Sequence, residues 1–347
     1  MSNTKVGYVY DPIYLQHDTG YHVESSARLT TTMTYLEKTG VLAELEAIKP
    51  RAATVEEIAT VHERQYIAYI EYVARKGGAW LEVDTKMSPQ SYDAAIYAAG
   101  GNISAVNAVM EGKVNSVFAL VRPPGHHAIF DRALGFCIFN NIAIAAKYTL
   151  AKYTLDRIAI IDFDVHHGNG TQDAFYDNRR VLYVSTHQYP HYPGSGNAED
   201  IGSGEGKGTI LNVPLPASCG DTEYRTVFEK IIVPVIHRYN PQLILVSAGY
   251  DIHWADELSQ MQMTTTGIAG LVKIIKQLAD ELCQGRLVLT LEGGYNLEAL
   301  STSIKATFDV LLGKPNIEDK LGPPKRRYSN PDIVPLLKKL KVIHQLL

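Results

Sequence analysis

Four polar segments of the sequence combine residue types that bind metals and transfer protons. In chain order they contain the paired histidines His126 and His127, the run Asp162-Phe-Asp164-Val-His166, then Asp251, and finally Tyr295 after two glycines. Aspartate and histidine are common ligands of zinc-class divalent ions, and three protein ligands with an open fourth position characterise catalytic sites. These segments therefore predict a catalytic metal site.

Asp164 and His166 are the first two candidate ligands. They stand two residues apart, so in an extended segment their side chains project to the same side and can reach one ion. Asp251 is the best third ligand because its segment follows another predicted strand. A lone Asp-x-His is more often a turn aspartate beside a surface histidine, but three further polar segments of the same kind favour the metal site here.

The paired histidines gain a role beside a metal. Imidazole titrates near neutral pH, so one ring can accept a proton from water and another can return one to the leaving group. Each ring needs a partner on its far nitrogen, and Asp162 and Asn169 flank the ligand pair. A carboxylate stabilises imidazolium and an amide does not, so we predict that His126 pairs with Asp162 and is more basic than His127, which pairs with Asn169.

The remaining polar residues of these segments receive supporting roles. The hydroxyl of Tyr295 is placed to donate to a developing oxyanion. Cys137 is interpreted as a small buried thiol. Structural or supporting roles are expected for the other nearby histidines, which are His167, His187, His191 and His253.

The elements that position these residues alternate between strands and helices. Apolar, β-branched runs predict buried parallel strands at residues 116–121, 157–161, 181–185, 243–247 and 287–291. Helical spacing predicts helices at residues 90–111 and 222–239. This alternation indicates a single doubly wound α/β sheet, in which side chains beyond the carboxyl ends of the strands converge on one crevice. Gly100 and Gly101 either pack closely against a neighbour or interrupt the first helix.

Composition excludes several classes of protein. The chain has 347 residues, 33 Lys+Arg against 37 Asp+Glu, and 46% hydrophobic residues. These values exclude a disordered chain and give no basic surplus for nucleic acid. No apolar run is long enough to span a membrane and no secretory signal is evident, so the cytoplasm is the expected location. Cys137, Cys219 and Cys283 are expected to be reduced thiols.

The C-terminal part has a different composition. Residues 313–330 are rich in Pro, Gly, Lys and Arg, and Asn330 and Pro331 predict the N-cap and first residue of a final helix that runs to residue 347. We interpret Lys338, Lys339 and Lys341 as its solvated face.

Taken together, the motifs resemble the zinc-dependent histone deacetylase family. The likeness lies in residues 122–128, 135–141, 162–172, 247–251 and 292–296, with an opening segment at residues 15–29 in which Val23 stands where proline is usual. Asn169 resembles the class II branch and its bacterial histone deacetylase-like amidohydrolases, since class I members carry aspartate there. The resemblance covers about residues 8–312. It implies one deacetylase domain over residues 1–347 with the arginase/deacetylase fold and a helical extension at about 313–347.

The resemblance also implies roles for individual residues. Asp164, His166 and Asp251 would hold one zinc ion, His126 and His127 would transfer protons, and Tyr295 would polarise the carbonyl. Arg28 would lie below the metal. Gly135, Phe136, Tyr192 and Leu258 would line an acyl-lysine tunnel. One or two structural potassium ions would be held, the first by Asp162, Ser185 and main-chain oxygens of Asp164, His166 and Thr186, and the second by carbonyls near Phe175, Asn178 and Val181.

Several functions remain alternatives at this point. The implied reaction removes acetyl or other acyl groups from lysine in proteins or peptides. Acetylpolyamine relatives place a glutamate at the tunnel mouth where this chain has Leu258, although Glu257 is adjacent. A two-manganese ureohydrolase would need extra carboxylates where Gly168 and His253 stand. A non-catalytic acyl-lysine binding module would be expected to lack some of these residues. Neither nucleic acid nor membrane is an expected partner, and assembly into a homo-oligomer is compatible with the resemblance.

Overall fold

The apolar runs form the strands of one parallel sheet. Within residues 4–325 and 331–346, which the structure, a computed structural model, describes, this sheet has eight strands and a short antiparallel hairpin lies apart from it. In chain order the strands are β1 (Val6–Val9), β2 (Glu46–Ile48), the hairpin strands β3 (Ala79–Trp80) and β4 (Lys86–Met87), β5 (Ser116–Ala119), β6 (Ile158–Asp162), β7 (Val181–Gln188), β8 (Ile210–Leu215), β9 (Leu243–Ala248) and β10 (Leu287–Leu291).

The strand order places the four polar segments side by side. The order across the sheet is β2-β1-β5-β10-β9-β6-β7-β8, so the strands that precede the four segments are the four consecutive neighbours β5, β10, β9 and β6. All these pairs are parallel. The four loops therefore leave the sheet at the same edge, as the sequence predicts.

Helices flank the sheet. They are α1 (Ala27–Lys38), α2 (Val55–Ile58), α3 (Arg64–Arg75), α4 (Ser91–Met110), α5 (Asn141–Lys152), α6 (Asn169–Phe175), α7 (Asp221–Val227), α8 (Val233–Tyr239), α9 (Thr265–Leu282), α10 (Leu297–Leu311) and α11 (Val334–Ile343). The residues of β5, β6, β9 and β10 are buried throughout, which shows that both faces of the central sheet are covered. Among the described helices, none is long and apolar enough to cross a membrane.

Close packing explains the two adjacent glycines inside α4. A Cβ at Gly100 would lie 1.9 Å from the carbonyl oxygen of Arg51, and one at Gly101 would lie 2.5 Å from the hydroxyl of Tyr14. The helix continues through both positions. The glycines therefore allow the neighbouring chain to approach the helix, and the alternative of a helix break is wrong.

The predicted elements agree with the structure more closely in the centre than at its borders. The five predicted strands are present as β5, β6, β7, β9 and β10, whereas β1, β2 and β8 were not predicted. The helix expected at residues 222–239 is divided by a π-helical turn at Phe228–Ile232. The last helix begins at Val334 with Pro335 in its first turn, so the predicted start at Pro331 is wrong, and Asn330 lies outside the described residues. Cys137, Cys219 and Cys283 are free and buried.

His62 is a buried histidine that stabilises the fold in its neutral form. Its Nδ1–H donates to the carbonyl oxygen of Ile129 at 2.8 Å, and its Nε2 accepts from the N–H of Asn140, the N-cap of α5, at 2.8 Å. A second proton on the ring would remove that acceptor. Burial accordingly lowers the pKa of His62 to about 4.

We expect His62 to make the protein less stable in acid. An unfolded histidine takes up a proton as the pH falls below about 6.5, whereas the folded ring stays neutral down to a pKa of about 4. Its stabilisation is therefore complete above pH 6.5 and declines between these values. When the pH is lowered from 7.5 to 5, the free energy of unfolding should fall in both proteins, but by about 2 kcal/mol less in the His62→Gln variant than in the wild type. Urea denaturation at the two pH values measures this difference. Parallel pH dependences of the two proteins would contradict this assignment.

Candidate active site

Three of the four loops approach closely because two glycines leave room for the carboxylates between them. A Cβ at Gly249 would lie 2.0 Å from the Asp164 carboxylate, and a Cβ at Gly293 would lie 2.1 Å from the Asp251 carboxylate. The N–H of Gly293 donates to Asp164 Oδ2 at 2.8 Å. The loops after β6, β9 and β10 are thus packed directly around the carboxylates.

Asp164, His166 and Asp251 form one cluster of potential metal ligands. A ligand atom from each lies within 4.8 Å of the others. His166 Nδ1 lies 3.1 Å from Asp164 Oδ1 and 3.3 Å from Asp251 Oδ2. Burial opposes a charge on the imidazole, but hydrogen bonds to Asp164 and Asp251 outweigh burial and raise the pKa of His166 to about 10. Burial and the charge of Asp164 raise the pKa of Asp251 to about 7.

The hydrogen bonds of this cluster leave one oxygen for a cation. Asp251 Oδ1 accepts from the N–H of Val165, and both oxygens of Asp164 accept backbone N–H groups. Apart from the His166 ring 3.3 Å away, Asp251 Oδ2 is buried without a hydrogen-bond partner. An anionic oxygen in such a position is costly without a compensating charge. The donor set, two carboxylates and one imidazole, suits a zinc-class ion.

A second cluster of metal-binding residue types is less suited to an ion. It consists of His126, Cys137 and Glu292, and all three are buried. Glu292 accepts the N–H groups of Gly125 and His126 and the hydroxyl of Ser247. Cys137 donates to the carbonyl oxygen of Gly135. These groups already have protein partners, so the cluster with the unpaired oxygen is the better metal site.

Both predicted histidine pairings are present. His126 Nδ1 lies 3.1 Å from Asp162 Oδ2, and His127 Nδ1 lies 2.8 Å from Asn169 Oδ1. Burial disfavours a charge on His126, but the charges of Asp164 and Asp162 outweigh burial and raise its pKa to about 10. Burial, reinforced by the charge of His126, lowers the pKa of His127 well below its ordinary value. The order of basicity predicted from the sequence is therefore confirmed.

Tyr295 lies against a buried arginine and within electrostatic range of Asp164 and Asp251. Burial raises the pKa of its phenol well above the ordinary value, so the hydroxyl keeps its proton. The Arg28 guanidinium lies 5.0 Å from the ring centroid and donates to the carbonyl oxygens of Gly294 and Glu292. Glu24, which is buried, pairs with Arg28 at 3.1 Å. Arg28 is therefore close to the site and fixed there.

Two aromatic side chains lie against the residues of the site. The Phe136 ring lies 5.7 Å from that of Tyr295, and the Tyr192 ring lies 5.1 Å from that of His127 and is 39% exposed. A Cβ at Gly135 would lie 2.4 Å from the His127 ring, which explains why a glycine stands beside this ring. Gly135 and Phe136 both have positive φ angles, of 51° and 68°.

His191 packs against the candidate ligand His166, a contact that the sequence did not predict. Its ring stacks on that of His166 at a centroid separation of 5.0 Å and an interplanar angle of 18°. Its Nε2–H donates to the carbonyl oxygen of Leu258 at 3.0 Å. The predicted structural roles of His167 and His187 agree with their hydrogen bonds to Ser195 Oγ and to the carbonyl oxygen of Gly196, respectively. Leu258 thus joins the same side of the site as His191.

The predicted potassium-site residues lie together in two groups. Asp162 is the register partner of Ser185 in the sheet, and Thr186 follows with a buried hydroxyl that lacks a partner. In the second group, the carbonyl oxygen of Phe175 accepts the N–H of Asn178, and the carbonyl oxygen of Asn178 accepts that of Val181. In each group, the residues named above are thus neighbours in the structure.

The two positions that would supply carboxylates to a second metal hold a glycine and a histidine instead. A Cβ at Gly168 would lie 2.3 Å from Asp162 Oδ2 and 2.5 Å from the hydroxyl of Tyr183, so no side chain fits there. His253 Nδ1 accepts the N–H of Ala255, and its Nε2 lies 3.3 Å from Thr265 Oγ1. These contacts argue against a two-manganese ureohydrolase.

Comparison with known proteins identifies the family. A profile described as the histone deacetylase domain matches residues 22–311 of this chain. The chain belongs to the histone deacetylase family. It is therefore a hydrolase of a family that acts on acetylated substrates, and the resemblance inferred from its motifs is confirmed.

Named relatives are similar over most of their length. Histone deacetylase 14, chloroplastic, of Arabidopsis thaliana is 43% identical over 334 residues, which cover 91% of this chain and 79% of that protein. The histone deacetylase-like amidohydrolase of Pseudomonas aeruginosa is 37% identical over 276 residues, covering 79% and 73% of the two chains. The crystal structure of the HDA15 HD domain superposes with a TM-score of 0.90 at 31% identity, covering 100% of this chain and 96% of that one. The α/β fold predicted from the sequence is confirmed by this match.

Proposed function

We propose that this family member is a class II-like, zinc-dependent amidohydrolase that removes acyl groups from the side-chain amine of lysine. The observation that carries the proposal is the buried, unpaired Asp251 Oδ2 beside His166 and Asp164, within a site that also holds two histidines and a tyrosine. A binding module has no need for proton-transfer groups with such different basicities.

Asp164, His166 and Asp251 are the residues that would hold zinc. When bound there, zinc would lower the pKa of water and polarise the acyl carbonyl. The same donors already attract positive charge, since His166 is held between the two carboxylates. Zinc bound there would replace the His166 proton as the positive charge beside Asp251 Oδ2.

The histidine pair moves the protons of the reaction. The Asn169 side-chain oxygen accepts from His127 Nδ1–H, so Nε2 of the neutral ring is free to accept a proton. Water adds to the acyl carbon and gives that proton to His127. The carbon–nitrogen bond then breaks as the leaving nitrogen receives that proton from the histidine pair. The new carboxylic acid gives its own proton to the released amine, so the products are a carboxylate and a lysine ammonium ion. Asp162 keeps His126 cationic beside the developing negative charge.

Tyr295 and the aromatic walls complete the proposed site. The protonated phenol of Tyr295 donates a hydrogen bond to the oxyanion that forms when water adds to the carbonyl. Phe136 and Tyr192 offer flat apolar surfaces that suit the methylene stem of lysine. Leu258, at the position where polyamine-selective relatives carry glutamate, favours acyl-lysine peptides. Potassium at the two residue groups described above is part of the same proposal.

A substrate panel tests the function. The kcat/KM values for acetyl-lysine peptides, longer acyl-lysine peptides and acetylated polyamines should be highest for an acyl-lysine peptide, and a hydroxamate should abolish turnover. Higher values for polyamines would assign the acetylpolyamine function and point to the exposed Glu257 beside Leu258. Binding of acyl-lysine without turnover would identify a binding module.

A further inference from the structure

Asp256 is a buried carboxylate that joins two loops of the site. It is 4% exposed and follows Asp251 by five residues. Its Oδ2 accepts the backbone N–H groups of Tyr295 at 2.6 Å and Asn296 at 2.9 Å. Its Oδ1 accepts the N–H of Leu258 at 3.0 Å. One side chain therefore connects the backbone of the proposed oxyanion donor to that of the proposed tunnel wall.

Arg28 binds the backbone carbonyl groups of the same loop, whereas Asp256 binds its backbone amides. The guanidinium donates to the carbonyl oxygens of Glu292 and Gly294, whereas Asp256 accepts from the amides that follow them. Hydrogen bonds to charged groups are roughly twice as strong as neutral ones. A buried cation and a buried anion thus restrain the short loop between β10 and α10, with Arg28 bound on the residue before Tyr295 and Asp256 bound at Tyr295 and the residue after it.

The orientation of Tyr295 depends on this loop. The loop contains Gly293 and Gly294, which restrict the backbone least of all residues, and the φ angle of Gly294 is 114°. Asn296, the other residue bonded to Asp256, caps α10 by accepting the N–H of Ala299. The N-terminus of α10 fixes one end of the loop. Asp256 then fixes the backbone of Tyr295, which lies between the two glycines and the helix.

We propose that Asp256 is a positioning residue that acts through Tyr295. It fixes the Tyr295 backbone so that the phenol meets the oxyanion, and it links that position to the Leu258 wall. The proposal rests on the proposed function, because Tyr295 has a catalytic role only in that reaction. A displacement of about 1 Å at a reacting group can reduce a rate by about a hundredfold, so the loss of this restraint should be measurable.

A double-mutant cycle with Tyr295→Phe tests the proposal on full-length, zinc-loaded protein. In the wild-type background, Asp256→Ala should lower kcat by about tenfold to a hundredfold with an acetyl-lysine peptide, and zinc content should not change. In the Tyr295→Phe background, the same substitution should lower kcat by less than about threefold, because the hydroxyl that it positions is already gone. Asp256→Asn keeps one oxygen acceptor and should give a smaller loss; it replaces Asp256→Ala in the cycle if that variant does not fold.

Asp221 provides a matched control. Its carboxylate also accepts a backbone N–H just before a helix, that of Thr264 at 2.9 Å ahead of α9, but it has no contact with the Tyr295 loop. Asp221→Asn should lower the melting temperature without lowering kcat. This control separates loss of a carboxylate that holds the residue before a helix from loss of Tyr295 positioning.

Each outcome of the cycle decides the proposal. A kcat loss in the wild-type background that nearly disappears beside Tyr295→Phe supports it, as does a crystal structure of the variant with the Tyr295 ring displaced. Equal fractional losses in both backgrounds, or an unchanged kcat, overturn it and leave the proposed function intact. A wild-type protein without turnover on any acyl-lysine peptide overturns the proposed function instead.

Discussion

Replacing Asp251 by asparagine is expected to abolish deacetylation. The substitution removes the buried oxygen that lacks a hydrogen-bond partner and with it one anionic ligand of the proposed zinc site. A bound metal contributes several kcal/mol of transition-state stabilisation, so turnover should fall by roughly a thousandfold or more. Steady-state kinetics and metal analysis of the purified variant measure both consequences, and we expect less than stoichiometric zinc.

The same substitution should not destabilise the metal-free protein. Burial and the nearby charge of Asp164 outweigh the His166 ring and raise the pKa of Asp251 to about 7, so a negative charge on Asp251 is disfavoured in the metal-free protein. An amide supplies a neutral group of the same shape. The metal-free variant should therefore melt no lower than the metal-free wild type, and added zinc should raise the melting temperature of the wild type alone. A stable variant that binds zinc and turns over normally would exclude Asp251 as a ligand.

Tyr295→Phe is expected to reduce kcat by about a hundredfold or more. Removing one oxyanion donor typically costs about 3 to 4 kcal/mol of transition-state stabilisation. The substitution keeps the ring that packs against Phe136 and Arg28, so the site should keep its shape. Because the phenol acts mainly in the transition state, KM and zinc content should change little.

Tyr14→Phe is a suitable control for this substitution. Tyr14 is also buried, and its hydroxyl donates to the carbonyl oxygen of Tyr97, in α4 and outside the proposed site. Its variant should lose stability and keep its kcat. Near-normal turnover of Tyr295→Phe would show that the phenol is not the oxyanion donor.

The sequence predicts which residues come together at the centre of the site because the proposed ligands lie on short segments after recognisable strands. Asp164 and His166 are two residues apart, and Asp162 and Asn169 lie close enough to them for the histidine pairings to be foreseen. The order of basicity of His126 and His127 follows from one carboxylate and one amide. These features need only the rule that parallel strands bring their carboxyl ends to one edge.

Contacts between distant loops could not be predicted in this way. The stack of His191 on His166 depends on how the loop after β7 folds back, and the bonds from Asp256 to Tyr295 are made to backbone amides, which leave no trace in residue type. Gly100 and Gly101 reflect the approach of residues about fifty or more positions away, Arg51 and Tyr14. Such packing is a property of the tertiary structure, although the Asp256 segment was already visible as the loop that carries Leu258.

The central claim is that one divalent ion at Asp164, His166 and Asp251 supports hydrolysis. It is tested most directly by titrating zinc into fully chelated protein while following both bound metal and turnover of an acetyl-lysine peptide. Turnover should be absent at the start, rise in proportion to bound zinc and level off at one ion per chain. Full turnover in the stripped protein, or a plateau that requires two ions per chain, would contradict the account.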